Sequence, residues 1–149
     1  VGKIFSMGIA LESKEPSKDV VKGAVMLWLI QNVGLKNFMV DENEISDFVS
    51  QYENEWIGIE ILYYRVPTLM LEEMQNRLNR VSEVQPRYKK LMFFLIFPDR
   101  DTMFRDSRAK DVQKIPALIN RKGIEYEMIV GYLDDDNKID LQERVWITN

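Results

Sequence analysis

The stretch from Trp56 to Val66 constrains the fold of this chain more than any other. Its residues alternate, with Ile57, Ile59, Ile61 and Tyr63 on one side and Gly58, Glu60, Leu62 and Tyr64 on the other. Pro67 ends it. A strand this apolar belongs to a central sheet, and Glu60 is its one charged interior residue. A carboxylate there is costly unless it is paired, hydrogen-bonded or bound to metal. Glu60 is therefore either a functional ligand, an exposed group on an edge strand, or the partner of an arginine on a neighbouring helix.

Other elements follow from periodicity and from turn residues. Lys3–Leu11 alternates as a strand, and Ser13–Ser17 with Pro16 is a loop. Ser17 caps a helix whose apolar positions Val20, Val21, Ala24, Val25, Trp28 and Leu29 recur at helical spacing, with Gly34 as its stop. Lys36–Val40 and Ile45–Val49 are short strands around an acidic turn at Asp41–Glu44. Thr68 caps a second helix lined by Leu71, Met74, Leu78 and Val81 and closed by Pro86. Lys90–Phe97 is a continuous apolar run, the pattern of a strand covered on both faces. Pro98–Asp106 reads as a charged loop, followed by a helix opened by Asp106 or Ser107 and kinked or broken at Pro116. Ile124–Leu133 and Ile139–Ile147 are strands joined by a turn at Asp134–Asn137. The order β-α-β-β-β-α-β-α-β-β predicts one α/β domain over residues 1–149, a three-layer sandwich around a mixed central sheet.

Composition narrows the chemistry. There are no cysteines and no histidines. Thiolate sites, imidazole acid–base catalysis and histidine metal sites are thereby excluded, leaving carboxylates, lysines, tyrosines or a hard metal on oxygen ligands. No apolar run approaches the roughly 18–20 residues of a membrane span, and the first residues lack a signal-peptide pattern. A cytoplasmic, intracellular protein without membrane contact is expected. Val1 in the first position suits a processed chain or a piece of a longer one. The net charge is −4, yet Arg77–Lys122 holds 12 Lys/Arg against 5 Asp/Glu, a local excess of +7. That block is either a phosphate-tracking face or a solvated helical surface.

Two acidic positions combine with this element order. Ser46-Asp47-Phe48-Val49 lies on the second strand of a meander, and Gly58-Ile59-Glu60-Ile61-Leu62 on the third. With the flanking helices and the strand ending at Phe97, this arrangement resembles the PD-(D/E)XK nuclease superfamily, the restriction-endonuclease-like fold. That family carries an aspartate on the second strand and Glu-X-Lys on the third. The resemblance implies that Asp47 and Glu60 are catalytic and hold Mg²⁺ or Mn²⁺, which would polarise a scissile phosphate and lower the pKa of an attacking water. It also implies nucleic acid as partner, with Arg77, Arg80, Arg87, Lys89, Arg105 and Arg108 as phosphate contacts. The family's lysine position is Leu62 in this chain. Arg77 or Arg80 on the following helix could supply the missing cation, whereas parity places Arg65 on the face opposite Glu60.

Several other features favour packing over chemistry. Phe93, Phe94 and Phe97 sit inside the apolar strand and belong in a core, not on a base-stacking platform. Asp134-Asp135-Asp136-Asn137 lacks the central glycine and terminal glutamate of a calcium loop. No phosphate-binding glycine motif is present. Three functional classes remain: a metal-dependent nuclease or nucleic-acid binder, an inactive nuclease-like module docking a protein partner or a second copy, and an α/β ligand sensor.

Overall fold

The computed structural model describes residues 17–35, 37–39, 47–65, 67–83, 90–123 and 125–140. The expected strand Lys3–Leu11, the turn Asp41–Glu44, Pro86, Arg87, Lys89 and everything after Asp140 lie outside them. The elements are α1 (Lys18–Asn32), β1 (Asn37–Met39), β2 (Phe48–Tyr52), β3 (Glu55–Tyr63), α2 (Pro67–Glu83), β4 (Lys90–Phe97), α3 (Arg100–Asp106), α4 (Lys110–Gln113), α5 (Ile115–Arg121), β5 (Tyr126–Leu133) and β6 (Ile139–Asp140). Among the described residues, six strands form one mixed sheet in chain order. β1, β2 and β3 form an antiparallel meander, β4 and β5 continue parallel to β3, and β6 turns back antiparallel. The fold class is α/β. No described helix is long and apolar enough to cross a membrane.

The alternation read in β3 decides which helix lies on which face. Ile57, Ile59 and Ile61, with Met92, Phe94 and Ile96 of β4, pack against Val21, Ala24, Val25 and Leu29 of α1. Trp28 meets Phe94 edge-on at 5.6 Å between ring centroids. The opposite face of β3 and β4 puts Leu62, Tyr64, Leu91, Phe93, Leu95 and Phe97 under Met70, Met74 and Leu78 of α2 and under the short helices α3–α5. Phe93, Phe94 and Phe97 are all buried, as their place in the apolar run predicts. Ser17 caps α1 through its side chain, which accepts from the Val20 amide, and Gly34 follows in the left-handed region at φ +80°.

Two stretches depart from expectation. The second strand runs Phe48–Tyr52, beyond Val49, because Glu53 and Asn54 turn the chain with φ of 49° and 68°. Both central residues in the left-handed region are the mark of a tight hairpin turn, so the polar residues before Trp56 are paired strand and not a linker. Asp47 thus stands just before β2, not within it. Pro98–Asp106 is no loop: the Asp99 side chain accepts from the Thr102 amide and starts α3 at Arg100. The expected third helix is split into α4 and α5, with Pro116 in the first turn of α5, where its missing N–H costs nothing.

The hairpin gives a direct test. Glutamate and asparagine are both strained by positive φ, glutamate more so, whereas Asn-Gly suits such a turn. Replacing Glu53-Asn54 by Asn-Gly is expected to raise stability by roughly 1 kcal/mol, read as a higher urea midpoint with an unchanged slope. A lower midpoint would reject the turn and with it the β2–β3 register.

Candidate functional site

The hairpin register brings Asp47 beside the middle of β3. Phe48 pairs with Ile59, and the Asp47 amide donates to the Ile59 carbonyl at 2.9 Å. One step further along β3, the Ile61 amide donates to Asp47 Oδ2 at 2.6 Å. A side-chain oxygen thus receives the N–H that the neighbouring strand would otherwise satisfy. Glu60 lies on the face of β3 that turns toward α2, as parity predicts.

The cation joining them comes from α2. Met70, Met74 and Leu78 form the buried stripe of that helix, and Arg77 flanks it. Its stem follows the apolar surface and its head reaches the strand. Arg77 Nη1 donates to Asp47 Oδ2 and to Glu60 Oε1, each at 2.8 Å. Arg77 Nη2 donates to Glu73 Oε1 at 3.1 Å, one helical turn back. Lys18 Nζ, from the first turn of α1, stands 3.2 Å from Asp47 Oδ1. The Asp47 and Glu60 side chains are only 5% and 1% exposed, so these are interior ion pairs, not surface ones.

Electrostatics agree with the geometry. Burial alone would raise the Asp47 carboxyl, but the Arg77 guanidinium, the Ile61 amide and Lys18 more than offset it and hold it below its ordinary value. Burial likewise disfavours the Arg77 charge, and the two carboxylates reverse that and raise its pKa. Away from this cluster, the Tyr64 hydroxyl donates to Asp106 Oδ2 at 2.7 Å, tying the end of β3 to the end of α3. Burial and that acceptor push the Tyr64 pKa up.

Asp47 and Glu60, 13 residues apart in sequence, are thus brought to one place. Their meeting point is a guanidinium nitrogen. Among the described residues, no three acidic side chains are grouped to hold a metal. Two carboxylate oxygens are still a hard donor set of the kind Mg²⁺ accepts, since it keeps several waters and takes further oxygens from phosphate. Such an ion would have to displace Arg77 from the carboxylates. Leu62, two residues after Glu60, is wholly buried in the core beneath α2.

The remaining expected phosphate contacts scatter. Arg80 and Arg108 are exposed, Arg105 is ion-paired to the adjacent Asp106, and Arg87 and Lys89 lie outside the described residues. The cations that gather beside the acidic pair are instead Lys18, Arg65 and Arg77, which with Glu73 line an open cleft of about 320 Å³. Arg65 borders this cleft beside Ile61 and Tyr63, which lie on the face of β3 opposite Glu60. Lys18 follows the Ser17 cap, which fixes it on the first turn of α1.

Matched against protein families and against curated proteins, the chain finds no counterpart. Among solved structures, a repair endonuclease from Pyrococcus abyssi is similar over 78% of this chain and 48% of that one, with 12% identity and a TM-score of 0.40. The chain thus spans about half the length of that protein. A likeness this faint carries no weight for function, which rests on the site itself.

The buried triad predicts opposite responses to acid. Asp47 contributes stability that is present above the ordinary carboxyl value of 3.8 and lost as pH falls through its lower folded value. Arg77→Met leaves Asp47 and Glu60 facing each other without their cation, at a cost of about 3–5 kcal/mol at pH 7. Protonation then relieves the repulsion, so the variant gains stability between pH 7 and 5 while the wild type does not. Urea midpoints at pH 7, 6 and 5 decide this, and parallel pH profiles would show that the triad is not an interior charge network.

Proposed function

We propose that this chain is a nuclease-like, nucleic-acid-processing protein of the PD-(D/E)XK type, with a three-layer, restriction-endonuclease-like core. Its reaction centre comprises Asp47, Glu60 and Arg77. The observation that carries this reading is the approach of two carboxylates, Asp47 just before β2 and Glu60 on β3, to within 2.8 Å of one nitrogen of Arg77. Apolar clusters on both faces of the sheet, one under α1 and one under α2–α5, support the three-layer arrangement.

Each residue has a role suited to phosphodiester hydrolysis. Asp47 and Glu60 would hold Mg²⁺ or Mn²⁺, which supplies Lewis-acid stabilisation of the phosphate and a more acidic water. Arg77 takes the place of the motif lysine, reaching from α2 what Leu62 cannot supply from β3. Glu73 gives its guanidinium a second anchor, which would keep Arg77 beside the carboxylates if they held a metal. From there it can stabilise negative charge developing on a phosphate oxygen.

A second reading has its own observation. Arg77 already neutralises both carboxylates, and Leu62 is committed to the core. On this reading the triad is structural, and the fold serves as an inactive interaction module for nucleic acid, a protein partner or a second copy.

Incubation of the full chain with plasmid DNA, single-stranded DNA and RNA in Mn²⁺ or Mg²⁺ separates the two. The nuclease reading expects cleavage that falls at least ~100-fold in Asp47→Asn and in Glu60→Gln. It also expects Mn²⁺ to raise the melting temperature of the wild type but not of the double variant. No cleavage and no Mn²⁺ shift would favour the module, and cleavage surviving both substitutions would remove the proposed centre.

A further inference from the structure

The cleft beside the triad has a charge pattern that the carboxylates do not explain. Of its three cations, Arg77 is fully engaged, Nη1 by Asp47 and Glu60 and Nη2 by Glu73. Among the described residues Lys18 pairs with Asp47 Oδ1, at 3.2 Å, and its side chain is 68% exposed. An ammonium has three donors, so it can hold that pair and still donate to a ligand. Arg65 is exposed at the end of β3, and no ion pair engages it among the described residues. These two side chains come from separate elements, the first turn of α1 and the segment after β3, and border one space. The rest of the lining, beyond the three cations, is Val21, Ile61 and Tyr63, together with Glu73, whose charge is taken up by Arg77.

The position also favours an anion. The cleft opens at the carboxyl end of β3, where β2 has already stopped and where α1 and α2 cover opposite faces of the sheet. Crevices outside the carboxyl ends of strands are the usual ligand sites of α/β sheets. The first turn of α1 adds the positive end of a 15-residue helix. A volume of about 320 Å³ is at the small end for a ligand site and suits one nucleotide unit, not a broad surface.

We propose that this cleft is a nucleotide-phosphate subsite in which Lys18 and Arg65 grip the anion while the Val21–Ile61–Tyr63 surface takes the adjoining sugar or base. This deepens the nuclease-like reading and rests on it for the ligand being part of a polynucleotide. Two charges select a phosphate and the apolar floor selects what is attached to it. Inorganic phosphate alone should therefore bind poorly. The site requires no metal and operates with Arg77 still on its carboxylates.

Calorimetric or NMR titration of the full chain in EDTA and low salt tests the proposal, with inorganic phosphate and 5′-phosphorylated dithymidylate as probes. The dinucleotide is expected to bind at least ~10-fold more tightly than phosphate. Arg65→Gln and Lys18→Gln should each weaken it about 5–10-fold and flatten the salt dependence by roughly 0.7 per contact. Among the described residues Asp47 pairs with Lys18 and Arg77, and Glu60 pairs with Arg77, so the Arg65 variant reports the cleft while leaving those pairs in place. Lys90→Gln, at the amino end of β4 and paired with Glu127, should change nothing. Wild-type affinity in Arg65→Gln, or equal affinity for phosphate and dinucleotide, would overturn the subsite even if Mn²⁺-dependent cleavage is present. Loss of dinucleotide binding in Arg65→Gln without any cleavage would uphold the subsite and reject the nuclease reading alone.

Discussion

One guanidinium nitrogen, Arg77 Nη1, bridges two almost fully buried carboxylates, and much of the described structure is arranged around that contact. Neither Asp47 nor Glu60 could remain ionised in this interior alone, since desolvating an isolated charge costs several kcal/mol even after relaxation. The guanidinium must also arrive at a fixed height above the strand. That height is set by Met70, Met74 and Leu78 packing on Leu62, Leu95 and Phe97. Packing on the α2 face of the sheet and electrostatics at its edge are therefore one problem. A shift of α2 by a fraction of a turn would draw Arg77 away from both buried carboxylates.

The bridge also stitches the meander to the parallel half of the sheet. Asp47 belongs to the segment entering β2, Glu60 to β3, and Arg77 to the crossover between β3 and β4. Lys18 adds the first turn of α1 from the other side of the sheet. Four segments thus meet at one cluster near the place where β2 stops. Asp47 has a further duty there, because Oδ2 accepts the Ile61 amide just past the Phe48–Ile59 pair. The same oxygen receives Arg77, so one atom closes the sheet ladder and anchors the helix.

How much of this was legible follows from the range of each interaction. Periodicity located β3, β4, α1 and α2 because their side chains alternate between a core and its surroundings, which is a local signal. The distribution of β3 between its two faces was readable for the same reason. The Glu53-Asn54 turn was not, because the positive φ values belong to residues without glycine and the flanking Gln51 and Tyr52 look like linker. α3 hid behind Asp99, a charged residue in a charged stretch whose capping role appears only in backbone geometry. At the site, Asp47, Glu60 and the candidate cation Arg77 were visible from type and spacing. Glu73 and Lys18 were not, since their relevance depends on how α1 and α2 dock, which no local pattern encodes.

On the nuclease-like reading proposed above, a leucine at position 62 has a physical logic once α2 is in place. A lysine at that position would lie beneath Met70, Met74 and Leu78, in a site with no room for water. Leucine fills that volume without a charge to compensate. The cation then comes from the flank of the covering helix, where a long stem can lie on apolar surface while the head reaches the carboxylates. Arginine suits this better than lysine, since its planar fork can bond Asp47, Glu60 and Glu73 together. The positive charge at the cluster therefore comes from the helix and not from the strand, which ties it to the packing of α2.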